Sequence, residues 1–231
     1  MRTVRSRVLI VCLAAPLAAT PACGSKEEAS VERHERAVVA STSSAPRIVI
    51  LGDSLTAGLG LAVDEAYPAL IQQRLRERGM GYEIVNAGVS GDTSAGGLSR
   101  LDWALDGNVK ALVVALGAND GLRGLPIDEL TMNLSQIIER SQKRGIAVVL
   151  AGMEAPPNFG ERYTAAFRDI YPNLARKYHV PLVPFLLQGV AAIDSLNQRD
   201  GIHPNSAGAV IVADNVWSVL EPVLEGRAVR D

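Results

Sequence analysis

From residue 47 onward, short unbroken apolar runs alternate with longer stretches in which apolar residues recur every third or fourth position. Residues 48–51 (Ile-Val-Ile-Leu) and 111–116 (Ala-Leu-Val-Val-Ala-Leu) are the clearest runs. A continuous run of this length fits a strand covered on both faces, the usual state of strands in a parallel sheet. Residues 82–85, 146–150 and 181–185 repeat the signal, and the prolines at 181 and 184 place the last of these at a sheet edge. Between them, residues 67–78 carry Leu70, Ile71 and Leu75 at helical spacing and stop at Gly79, and residues 129–144 carry Leu130, Leu134, Ile137 and Ile138 on one side. Further helices are predicted over 98–105, 162–178 (bent near Pro172) and 207–224, with a short one inside 186–198. Strands alternating with helices of this length predict an α/β fold, a three-layer α/β/α sandwich around a five-stranded parallel sheet. It occupies residues 46–226 as one domain without internal repeats, and residues 227–231 form a tail.

The first forty-five residues follow another pattern. Arg2, Arg5 and Arg7 precede an uncharged apolar stretch over 8–19, shorter than the roughly 20 residues a spanning helix needs. Residues 1–22 therefore read as a secretory signal peptide. The segment Thr20-Pro21-Ala22-Cys23-Gly24-Ser25 resembles a bacterial lipoprotein signal, in which Cys23 becomes the lipidated first residue. Thr20 stands where that signal usually has Leu, so ordinary cleavage near Ala22 is the alternative. Residues 23–45 turn to Ser and Glu with Lys, Thr and Arg among them and little apolar periodicity, as expected of a disordered tether, and His34 falls within it. The expected address is outside the bacterial cytoplasm, periplasmic or lipid-anchored to the envelope.

Composition narrows the function. The net charge of −2 offers no basic surface for nucleic acid, and the 4% of aromatic residues are too few for a base-stacking platform. Both cysteines, Cys12 and Cys23, precede the domain, which leaves the domain without disulfides, thiolate metal sites or thiol nucleophiles. Only His179 and His203 lie in the domain, and no His/Asp cluster has metal-ligand spacing, so no metal is expected. No glycine-rich phosphate cradle appears, so no nucleotide cofactor is expected either.

The chemistry collects where the strands end. Gly52-Asp53-Ser54 follows the first, Ser90-Gly91-Asp92-Thr93 the second and Gly117-Ala118-Asn119-Asp120 the third; Asp200-Gly201-Ile202-His203-Pro204 comes last. Parallel strands bring these ends to one edge, where open α/β proteins place their chemistry. Serine is a weak nucleophile at neutral pH and needs a base, itself oriented by an acid; Asp200 and His203 can supply both from one loop. Asp53, Asp92 and Asp120 read instead as turn or helix-entry residues. Singly, each feature has a plainer reading as turn or cap; their succession at strand ends does not.

These four blocks resemble those of the SGNH (GDSL-type) hydrolases, and the resemblance spans about residues 47–224. It is closest to the bacterial arylesterase, lysophospholipase and thioesterase branch. It implies a flavodoxin-like fold, Ser54 as nucleophile, His203 as general base and then acid, and Asp200 orienting His203. It implies an oxyanion hole from the backbone N–H groups of Ser54 and Gly91 and the side-chain amide of Asn119. Substrates implied are carboxylic esters with short to medium acyl groups, aryl esters, thioesters or lysophospholipids. Met153, Pro157, Phe159 and Ile202, with Leu186 and Leu187, are candidates for an apolar substrate wall. Two other readings stand beside it: a carbohydrate O-deacetylase with the same machinery, and a flavodoxin-like protein that binds a ligand without chemistry.

Overall fold

The computed structural model describes residues 45–227; the expected signal peptide, the expected tether up to residue 44 (with Cys12, Cys23 and His34) and residues 228–231 lie outside them. Five strands form one sheet: β1 (Arg47–Gly52), β2 (Glu83–Gly88), β3 (Val109–Ala115), β4 (Ala147–Ala151) and β5 (Leu182–Val183). Their order is β2-β1-β3-β4-β5 and every pairing is parallel. The central strands β1 and β3 are sealed on both faces, with Ile48, Val49, Ile50, Leu51, Leu112, Val113 and Val114 fully buried. That is why they read as unbroken apolar runs. Strand β5 sits at an edge and has two residues, because neither Pro181 nor Pro184 can donate to the ladder.

Eight α-helices accompany the sheet among the described residues: α1 (Ser54–Ala57), α2 (Tyr67–Glu77), α3 (Ser94–Ser99), α4 (Leu101–Ala104), α5 (Ala118–Leu122), α6 (Ile127–Lys143), α7 (Glu161–Tyr178) and α8 (Ser206–Leu224). Helix α2 packs on α8, and α6 packs on α3 and α7. These two groups cover the sheet in a three-layer α/β/α arrangement. Helix α8 is long and apolar enough to cross a membrane, yet Val212, Ala213, Val216 and Leu220 are buried in the protein core. Helix α7 continues unbroken through Pro172 and buries Phe167, Ile170, Tyr171 and Leu174. His179 closes α7 in the left-handed conformation, φ 51°.

Two sequence expectations are corrected. The single helix over 98–105 is two short ones, Ser94–Ser99 and Leu101–Ala104, the first starting earlier because Thr93 caps it by accepting from Gly96 N–H. The chain breaks at Arg100, whose side chain turns back to Asp92 and to the carbonyl of Gly52. Within 186–198 there is no α-helix, only a 3₁₀ turn over Asp194–Leu196. Here buried Asn197 donates its amide to the carbonyls of Val190 and Ile193, satisfying them locally instead of through a helical ladder.

Candidate active site

The site begins where β1 runs out. Asp53 caps α1, its Oδ1 accepting the N–H of Leu55 at 3.0 Å, and this turn makes Ser54 the first residue of the helix. Helix α1 lies directly over the end of β2: a Cβ on Gly88 would sit 2.2 Å from the nitrogen of Ala57. Asn86 then donates its amide to the Thr56 carbonyl at 2.9 Å, fastening the nucleophile turn to the neighbouring strand end.

The last loop meets it from the other side. Ser54 Oγ lies 2.8 Å from His203 Nε2, and His203 Nδ1 lies 2.7 Å from Asp200 Oδ2. Asp200 folds around its own loop, with Oδ1 accepting the N–H groups of Ile202 at 2.9 Å and His203 at 3.0 Å. Those two backbone donors, joined by the imidazole, lower its pKa to about 2, although its side chain is 46% exposed. The carboxylate is thus held ionised by local hydrogen bonds, not by burial. Gln198 ties the loop down, donating to the carbonyls of Leu59 at 2.7 Å and Pro204 at 2.9 Å. Asn205 follows as the cap of α8, which accounts for Pro204 near a helix start.

Gly91 adopts φ 86°, a conformation that favours glycine. A Cβ there would meet only Arg123 Nη2, at 3.8 Å, so the backbone angle and not crowding calls for glycine. Its N–H has no backbone acceptor among the described residues, while Arg123 holds its carbonyl at 2.9 Å. Asn119, the second residue of α5, aims its Nδ2 at two acceptors, Asp92 O at 2.9 Å and Asp53 Oδ2 at 3.2 Å. Both acceptors require the NH₂ end of the amide, which fixes its flip; an incoming anion must share one of these hydrogens. Burial pushes the Asp53 carboxyl up to about 6, against the opposing pull of the Leu55 N–H, the His203 charge and the Asn119 amide. Asp120, also buried, accepts both the N–H (2.8 Å) and the hydroxyl (2.6 Å) of Ser94, joining α5 to the start of α3.

The candidates for a substrate wall divide. Met153 is buried in the hydrophobic core and Leu186 is fully buried, so neither borders the site; an apolar residue after a strand is as easily core as wall. Pro157 and Phe159 form an exposed 3₁₀ turn, Phe159 packing against Tyr163 with ring centres 5.4 Å apart. Ile202 is exposed beside His203. A narrow recess opens instead next to Ser54 and His203, lined by Leu59, Leu61, Tyr67, Leu187 and Pro204. Of these, only Leu187 was among the expected wall residues. Arg100 and Arg123, which brace the site, carry no sequence signal: their partners are main-chain carbonyls and a carboxylate brought close only by the fold.

Residues 50–211 match the model of the GDSL-like Lipase/Acylhydrolase family. The chain is 43% identical over 183 residues to esterase TesA of Pseudomonas aeruginosa, covering 79% of this chain and 91% of that protein. It is 37% identical over 183 residues to thioesterase 1/protease 1/lysophospholipase L1 of Escherichia coli, covering 79% and 86%. Among solved structures, the psychrotrophic esterase EstA from Pseudoalteromonas sp., inhibited by monoethylphosphonate, superposes with a TM-score of 0.74 at 32% identity, covering 78% of this chain and 98% of that one. Fold, strand-end chemistry and relatives agree: the chain belongs to the GDSL (SGNH) lipase/acylhydrolase family and is a serine ester hydrolase.

Proposed function

We propose that Ser54, His203 and Asp200 hydrolyse carboxylic esters through an acyl-enzyme intermediate. The observation that carries this is the unbroken chain from Ser54 Oγ to His203 Nε2 (2.8 Å) and from Nδ1 to Asp200 Oδ2 (2.7 Å). Ser54 Oγ attacks the ester carbonyl carbon while its proton passes to His203 Nε2. Asp200 keeps Nδ1 protonated and stabilises the imidazolium. The carbonyl oxygen becomes an anion facing the N–H groups of Ser54 and Gly91 and the amide of Asn119, donors fixed before the reaction begins. Collapse breaks the bond to the leaving oxygen, which takes the proton from His203. Water then attacks the acyl-serine, giving its proton to His203, and the acid departs as Ser54 regains the hydrogen.

The names of the relatives support aryl and acyl esters, thioesters and lysophospholipids as the substrate range. The recess beside His203 suits apolar groups. Residues 1–22 act as an export signal and Cys23 as the lipidated residue, an address that favours esters of the envelope over cytoplasmic acyl thioesters.

The test is hydrolysis of a short nitrophenyl ester by the wild type and by Ser54→Ala, with mass analysis after a serine-directed phosphonate. Turnover and one phosphonate adduct are expected in the wild type and neither in the variant. Undiminished turnover by Ser54→Ala would remove Ser54 as nucleophile.

A further inference from the structure

Three strand-end loops are linked by side chains into a closed circuit. Arg100 Nη2 donates to the Gly52 carbonyl at 2.9 Å, and Arg100 Nε to Asp92 Oδ2 at 2.7 Å. The carbonyl of the same Asp92 accepts from Asn119 at 2.9 Å, and Asn119 also donates to Asp53, which follows Gly52 in the chain. The circuit therefore passes through the nucleophile turn, the loop bearing Gly91 and the helix bearing Asn119. Arg100 is its only member from outside those segments. Its position follows from the break between α3 and α4, which frees the side chain to turn back towards β1.

We infer that Arg100 is a positioning residue for the proposed oxyanion hole, spanning the Gly52 carbonyl and the Asp92 carboxylate so that the donors on three loops keep one spacing. The chemistry of the side chain suits the task. A guanidinium presents several donors in a rigid plane and reaches two acceptors at a fixed angle, whereas an ammonium is a single point. Two of the three guanidinium nitrogens of Arg100 are committed to these acceptors, on two different loops. Arg100 makes its hydrogen bonds to Gly52 and Asp92, not to Ser54 or His203, and acts through the loops it joins.

The inference rests on the proposed acyl-enzyme reading, and the controls keep the two apart. Wild type, Ser54→Ala, Asn119→Ala, Arg100→Lys, Arg100→Gln and the Asn119→Ala/Arg100→Gln double variant are compared on a short nitrophenyl ester, with thermal melts of each. Turnover in the wild type and its loss in Ser54→Ala uphold the reading whatever Arg100 does. Removal of one oxyanion donor in Asn119→Ala lowers kcat by about 10²–10³. A displaced donor is expected to lower kcat by about 10- to 100-fold in Arg100→Gln and less in Arg100→Lys, with KM little changed. In the double variant the loss is smaller than the product of the single losses, because both act on one set of donors. Wild-type kcat in a folded Arg100→Gln overturns the inference, and so does a strictly multiplicative double variant. Should both Arg100 variants be unfolded at the assay temperature, Asp92→Asn decides: it keeps an oxygen opposite Nε but drops its charge. A kcat loss without a KM change in Asp92→Asn supports the positioning role, and unaltered kcat refutes it.

Discussion

Two aspartates in the site are displaced from ordinary carboxylate behaviour in opposite directions, and each has its own pH window. Asp53, buried against the end of β1, is pushed up to about 6 from 3.8. A raised carboxyl binds its proton more tightly folded than unfolded, so its contribution to stability is complete below about pH 4 and lost as pH rises through 6. The shift is worth about 3 kcal/mol. Asp200, lowered to about 2, behaves conversely: its contribution is present above about pH 4 and lost as pH falls through 2. Urea unfolding at pH 4 and pH 7 is expected to show a decline in the wild type that Asp53→Asn removes. The same decline in both proteins would mean that Asp53 is not its source. Residue chemistry of this kind was only half legible in the chain. Asp53 and Asp200 both stand out in their motifs, but that one is buried and the other half exposed depends on packing that no motif carries.

The elements most visible in the sequence are those whose pattern reports burial. Strands β1 and β3 and helix α6 lie within a residue or two of their expected bounds, because continuous or periodic apolar spacing reflects contact with the core. The helix expected over 98–105 differs from the structure because this region is set by caps and by one long side chain, not by periodicity. The blocks around Ser54, Gly91, Asn119 and Asp200–His203 were legible as motifs, and the fold brings them to one sheet edge. Their braces were not: Arg100 and Arg123 bind main-chain carbonyls from distant elements, and nothing in sequence spacing marks such partners. Asp120 was read as a helix-entry residue, and it does more, since both of its oxygens serve Ser94. Asp120→Ala orphans two donors in a buried setting and is expected to cost ~2–4 kcal/mol. Thermal unfolding should register this as a fall of about 5–15 °C. A melt unchanged from wild type would show that the Ser94–Asp120 bonds contribute nothing net.

For the whole molecule, the domain is built from its first strand onward. Arg47 is already committed there, its N–H bonded to the Asn108 carbonyl at 2.8 Å and its guanidinium to Glu83 at 3.3 Å. The proposed anchor at Cys23 and the triad of Ser54, Asp200 and His203 are distinct stretches of the sequence. Cys23→Ala is expected to abolish incorporation of labelled palmitate and release the protein from the membrane fraction, leaving kcat on a soluble ester unaltered; retention of label would exclude Cys23 as the acceptor. One further consequence comes from the stretch between Gln198 and Asn205. Acid and base hang from the same short span, which Gln198 ties to the Leu59 carbonyl and Asn205 to the carbonyls of Ser195 and Leu196. Whatever displaces that span carries acid and base away together, while the alcohol stays with the turn after β1.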